Sequence, residues 1–305
     1  MNDVPSGPDL VALGERVEKA AVKAYREEIS RQYPDTPGAS LQVKDDHFKD
    51  IPTAFKVFEE PSYIYPQVMA DHVKAGLDTE GLGAGEMTNV DALKSKVGGE
   101  GSQWHGDAAE NFSRFYLQPF MNCVNNQKEA MASLEAATRT YADVLKRRNK
   151  DAKVVGDKAI EALESLGGCS SAEGTLGLTL LGTAITVIGT VATGGSLGFV
   201  LAAGAATSLA SLVSNAKGLS TSTVNGIVAS MYTALEDIDK DVDHRAGLLA
   251  GKLSTNNGLV DDHLAKDKNS DNIPVLVPRE PNEEGVPRVT DGGDLGDEFV
   301  PPGGE

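Results

Sequence analysis

The stretch that decides the fold runs from Asp107 to Leu166: DAAENFSRFYLQPFMNCVNNQKEAMASLEAATRTYADVLKRRNKDAKVVGDKAIEALESL. It contains one glycine, Gly156, and one proline, Pro119, and is otherwise rich in strong helix formers. Phe112, Phe115, Phe120, Val124, Met131, Leu134, Tyr141 and Leu145 recur mostly three, four or seven residues apart, which puts them on one face of a long amphipathic helix. At 1.5 Å per residue such a helix would span roughly 90 Å, with a kink expected near Pro119. A helix that long needs partners along its length, so the flanking sequence must supply them.

The flanks have the same character. Leu10, Leu13, Val17, Ala21 and Ala24, at spacings of three and four, predict a helix over residues 8 to 33, broken by Pro34 and Pro37. Phe48 to Leu77 is apolar and reads as helical, divided or bent by Pro61 and Pro66. Gly76 to Thr88 is a glycine-rich connector, and NVDALKSKV adds a short helix before GGEGSQ leads to Trp104. On the other side, GGCSS at Gly167 to Ser171 stops the long helix. From Gly174 to Ala216 there is no charged residue, and Gly194-Gly195-Ser196 divides this run into two arms of a Gly-, Ala- and Thr-rich helical hairpin. A second long helix is expected from about Thr221 to Leu253, with Val224, Ile227, Val228, Met231, Leu235, Ile238 and Val242 as its stripe. Beyond about Asn269 the chain carries six of its fourteen prolines among scattered acids and glycines, which reads as a disordered acidic tail. No strand alternation occurs, so the fold is expected to be all-α: an elongated helical bundle.

Composition narrows the function. With 40% apolar residues the 305-residue chain can bury a core, whereas only 5% aromatics favours close helix packing. A formal net charge of −17 repels phosphate backbones and anionic headgroups, which argues against nucleic acid and against electrostatic membrane docking. The N-terminus lacks a basic start followed by an apolar core, so no secretory signal peptide is expected. Cys123 and Cys169 would lie far apart along the helix and are expected to stay reduced, Cys123 as a buried thiol.

Patterns of catalysis and metal binding fail one by one. Asp237, Asp239, Asp241, Asp243 and His244 suggest a calcium loop, but the positions that need Gly and Glu hold Val242 and Leu248. GLGAGE at Gly81 lacks the third glycine of a dinucleotide loop, and no phosphate-loop lysine motif occurs. The histidines show no paired ligand spacing, and Ser170 has no nucleophile elbow. The expectation is a protein with no cofactor, no metal and no enzymatic activity.

The most informative short stretch is QWHGDAAENF, Gln103 to Phe112, which holds the only tryptophan. Residue by residue, Trp104 reads as a buried anchor at a helix start, with Gly106 permitting a tight backbone and Asp107 placed where a helix N-terminus favours an acid. As a whole, Trp-x-Gly between helical segments, followed by Asp-Ala-Ala and a Phe, resembles the Trp-x-Gly (WXG) family of type VII, or ESX, secretion substrates. The resemblance covers about residues 88 to 150. That family carries a second mark, Tyr-x-x-x-Asp or Glu, which serves as an export signal. Of seven tyrosines only Tyr232 has an acid four residues on, Glu236. On a helix the two share a face that a recognising ATPase could read. In the family this signal follows soon after the Trp-Gly helix, whereas here the uncharged segment intervenes.

The uncharged hairpin has two readings. Thr179, Thr183, Thr186 and Thr190 form one stripe, and Gly182 and Gly189 lie a heptad apart beside it, so backbones can approach closely. Each arm is long enough to cross a hydrocarbon core of roughly 30 Å. It is either the buried centre of a soluble bundle or a membrane hairpin, for which Gly182, Ile188, Gly189, Gly194, Gly195 and Gly198 are the candidate residues. The segments expected are therefore an N-terminal helical region (1–87), a WXG-like helix-turn-helix (88–166), the apolar hairpin (167–218), a C-terminal helix (219–265) and the acidic tail (266–305). The resemblance implies export by an actinobacterial-type type VII system as a non-enzymatic effector, carrier or envelope component. Its partners would be the secretion ATPase or a chaperone, with self-association or a helical partner possible. Alternatives are a membrane-active protein inserting residues 176 to 216 and a cytoplasmic helical scaffold.

Overall fold

A computed structural model of the chain describes residues 4–36, 38, 42–78, 88–97, 104–167, 175–176, 219–220, 223–268 and 274–278. The fold is all-α. The helices are α1 (Gly7–Gln32), α2 (Ile51–Lys56), α3 (Ile64–Leu77), α4 (Thr88–Lys94), α5 (Asp107–Phe112), α6 (Gln118–Gly167) and α7 (Val224–Asp267). Two two-residue strands pair antiparallel, Thr175 opposite Ser220 and Leu176 opposite Leu219.

Local chemistry fixes the helix ends. Ser6 and Asp9 form a reciprocal capping box on α1, with Ser6 N–H donating to Asp9 at 2.9 Å and Asp9 N–H to Ser6 Oγ at 3.4 Å. Pro66 does not divide its helix, because it sits in the first turn of α3, where a missing N–H leaves no bond unmade. Between α5 and α6 the chain makes a π-turn, Ser113–Leu117, in which Gln118 N–H bonds back to Ser113 O. This wider turn lies just before Pro119, whose ring would crowd the carbonyl four residues back in a regular helix, so the helical path continues through the proline. At the start of α7, Thr223 Oγ1 accepts from Gly226 N–H at 3.2 Å and Glu28 accepts from Val224 N–H at 3.1 Å. The sequence places the end of this helix near Leu253; α7 continues to Asp267 because no proline or Gly-Gly pair interrupts it.

The chain forms two compact units. The first comprises residues 1–75, 132–192 and 200–255; the second comprises 76–131, 193–199 and 256–305. The first unit holds the main core: Leu10, Leu13 and Val17 of α1 meet Ile51, Phe55 and Phe58, with Val155 and Leu163 of α6 and Ile227, Met231 and Leu235 of α7 closing around them. Arg148 is buried there, 3% exposed. Its guanidinium donates to Val57 O (2.8 Å), Glu60 O (3.2 Å) and Asp239 (2.8 Å) and lies over the Phe58 ring. A buried arginine is retained where several acceptors converge on its fork, and here they tie α6 to the turn after α2 and to α7. Nearby Asn149 donates to Pro5 O at 3.0 Å, fixing the chain that leads into α1.

The acidic-tail expectation is corrected at its near end. Residues 266–267 close α7, and residues 274–278 are packed, with Pro274 and Leu276 buried. An apolar run, Pro-Val-Leu-Val, stabilises its burial by removing side chains from water even inside an acidic stretch.

Candidate functional site

In the second unit the Trp-Gly turn lies between α4 and α5. Trp104 N–H donates to Lys96 O at 3.2 Å, and Val97 and Trp104 form an isolated parallel bridge. Gly106 is the N-cap of α5 with φ of +99°, a left-handed backbone that L side chains rarely adopt, and nothing lies within 4 Å of where a Cβ would stand. Its glycine is therefore required by conformation and not by crowding. Asp107 and Glu110 put acids in the first turn of α5, where the helix dipole favours them.

Trp104 is not the buried anchor that its sequence position predicts: 45% of it is exposed. The small core here is filled by Val97, Ala109 and Leu117, with Phe112 and Tyr116 packed at its edge. The indole lies over Phe112 at 5.4 Å between ring centroids, and the row continues through Tyr116 (5.0 Å) and Phe120 (5.8 Å). Residues 112, 116 and 120 are four apart, so the path from α5 through the π-turn into α6 carries a row of rings headed by a half-exposed tryptophan.

Tyr232 and Glu236 both stand on α7, but their surroundings differ. The Tyr232 ring packs against the main core and is half-buried. Burial, then the nearby charges of Asp50 and Glu18, pushes its hydroxyl above the usual tyrosine range. Glu236 is exposed and pairs with Lys240 at 2.6 Å. The hairpin candidates Gly182, Ile188, Gly189, Gly194, Gly195 and Gly198 lie outside the described residues. What is described is that the segment's two ends meet in the Thr175–Ser220 and Leu176–Leu219 pairing. Among the described residues no helix is long and apolar enough to cross a membrane.

Other polar clusters serve the fold. On α6 and α7, Arg147 pairs with Asp151 and Arg245 with Asp241, each at 2.8 Å. Burial raises Asp151 above the ordinary carboxylate range against the pull of Arg147. An open cleft of about 580 Å³ beside the end of α1 is walled by Tyr25, Tyr33, Lys44 and His47, with Tyr25 and His47 stacked at 4.8 Å. Among the described residues no group of three or more His, Cys, Asp or Glu is placed to hold a metal ion.

Sequence reasoning missed a third feature, residues 274–278. Asn126 donates to Val275 O at 2.7 Å and Gln127 to Leu276 O at 2.6 Å. The Asp267 carboxylate accepts from the N–H groups of Val275 (2.8 Å), Leu276 (2.7 Å) and Val277 (3.0 Å). The Cys123 thiol, fully buried, donates to Pro274 O at 3.6 Å. Burial and the Asp267 charge push that thiol up to about 11. The signal for this feature was the unbroken apolar run Ile273 to Val277 between charged stretches.

No protein-family model matches the chain, and neither the curated proteins nor the solved structures contain a significant match.

Proposed function

We propose that the protein is a non-enzymatic substrate of a type VII secretion system, acting outside the cytoplasm as an effector, carrier or envelope component. The observation that carries this reading is the Trp-Gly turn. Trp104 stands half in solvent at the head of an aromatic ladder, next to a glycine whose positive φ no other residue adopts easily. A large aromatic left exposed at a rigid turn has the character of a recognition residue, because exposed tryptophan is otherwise disfavoured and interface hot spots are enriched in it. Tyr232 and Glu236 supply the second mark of the resemblance, with the secretion ATPase or a chaperone as the partner. The test is export of single variants. Trp104→Ala and Tyr232→Ala should reduce the secreted fraction with the helical content of the retained protein unchanged; secretion of both at the wild-type level contradicts the reading of these motifs.

A second reading, insertion of the uncharged hairpin into lipid, is favoured by the meeting of its two ends at one place. It predicts dye leakage from anionic vesicles near pH 5, where carboxylates lose charge, abolished by Ile188→Asp. Absence of leakage at both neutral and acid pH contradicts it.

A further inference from the structure

Residues 274–278 belong to no helix or strand, yet their main chain is held at six points, each by a helix side chain: Cys123, Asn126 and Gln127 of α6 on three carbonyls, and Asp267 of α7 on three N–H groups. Residues 275–277 bend, and the bend lets three successive N–H groups converge on one carboxylate, as in a main-chain nest. Main-chain recognition of this kind tolerates many sequences. Selectivity comes from one side chain. Leu276, 3% exposed, packs with Ala130, Leu259, Val260 and Leu264, whereas Val277 beside it is 48% exposed. Pro274, having no N–H, makes no demand for an acceptor at the first position.

We propose that this place, formed by the side chains of α6 residues 123–130 and α7 residues 259–267, is a binding site for a short bent apolar peptide of the pattern Pro-x-Leu-x, and that residues 274–278 are its resident, displaceable occupant. Asn126, Gln127 and Asp267 read the peptide main chain, and the pocket around Leu276 reads one aliphatic side chain. The occupant is tethered to α7 through residues 268–273, so its effective concentration is of millimolar order and an untethered peptide competes poorly with it. A partner presenting such a segment gains the site when it is delivered at comparable local concentration, and its arrival detaches the acidic sequence that follows Pro278. This site is independent of the export reading.

Two measurements on the full chain test it. In the first, amide exchange is followed at Val275, Leu276 and Val277 and at Leu145 and Val155 of α6. The three strap amides should be protected yet exchange at least about 100-fold faster than those of α6, because a displaceable segment opens without unfolding the bundle. Equal protection overturns the proposal. In the second, a fluorescein-labelled peptide of the sequence NIPVLVPR is titrated and its anisotropy read. Wild type should leave it unbound at concentrations where the Leu276→Asp chain, whose own segment no longer fits the pocket, binds it. Adding Gln127→Ala to that chain should weaken binding at least about tenfold, and a peptide with Asp in place of its leucine should not bind. A Leu276→Asp chain with wild-type circular dichroism that fails to bind the peptide overturns the proposal. So does a Leu276→Asp chain that loses its helicity, since the segment is then part of the fold and not an occupant.

Discussion

Gly156 of α6 lies so close to Leu13 of α1 that a Cβ at position 156 would stand 2.6 Å from Leu13 Cδ2 and 3.1 Å from Phe55 Cζ. The only glycine between Asp107 and Leu166 is thus the point where α1 and α2 reach the surface of α6. Helix propensity favours Ala there by about 1 kcal/mol, but overpacking a filled core typically costs about 1–3 kcal/mol. Gly156→Ala is expected to lower the unfolding midpoint. In contrast, Gly247, Gly251 and Gly258 of α7 have nothing within 4 Å of a Cβ, and Ala at any of them is expected to raise stability by up to about 1 kcal/mol. Denaturant unfolding of the four variants decides both signs.

Arg148→Met keeps most of the stem that packs on Phe58 but leaves Val57 O, Glu60 O and Asp239 without their donor. Removing one partner of a buried charge network leaves the others uncompensated, so a loss of about 2–4 kcal/mol is expected. A loss below about 1 kcal/mol in urea unfolding would show that water replaces the guanidinium freely.

Cys123 makes stability fall at alkaline pH. Its thiol rises from 9.0 in the unfolded reference to about 11 in the fold. Between those values the unfolded chain loses a proton that the folded chain keeps, so stability declines as pH rises from 9 through 11, by up to about 2.7 kcal/mol. Unfolding measured at pH 8, 9, 10 and 11 should show this decline in wild type, and it should be smaller by that amount in Cys123→Ala. Parallel curves for the two chains contradict it.

Much of this architecture is legible in the sequence, because helical periodicity depends only on neighbours a few residues away. The stripes from Leu10 to Ala24 and from Val224 to Val242 each became the buried face of a helix. The run after Asp107 is helical as expected, but of the eight residues named for its stripe only Leu145 is buried and Leu134 is exposed, because the partners of α6 cover other positions, among them Cys123, Ala152 and Val155. What the sequence did not disclose depends on distant partners. Arg148 reads as one more charge in KRRNK until carbonyls from another segment converge on it. The strap at 274–278 looks like part of a polar tail until Asp267 and Asn126 meet its backbone. Trp104 was expected inside because it stands at a helix entry between helical segments, yet the core beneath it is small enough to be filled by Val97, Ala109 and Leu117.

That exposure changes what Trp104→Ala should do. Truncating a buried tryptophan costs about 3–5 kcal/mol, whereas a half-exposed ring tilted against Phe112 contributes roughly 0.5–1.5 kcal/mol beyond its partial burial. Thermal unfolding is expected to show only a small shift. A destabilisation of 3 kcal/mol or more, on the order of full burial, would place the ring inside the core and remove the argument for a recognition role.

The central claim, export by a type VII system, is tested most directly by measuring the protein in culture supernatant and in cell lysate from a host with and without the secretion ATPase. The account predicts that the protein accumulates in the supernatant only when the ATPase is present and is retained in the lysate when it is removed. Secretion that continues unchanged without the ATPase, with a cytoplasmic marker absent from the supernatant, would contradict it.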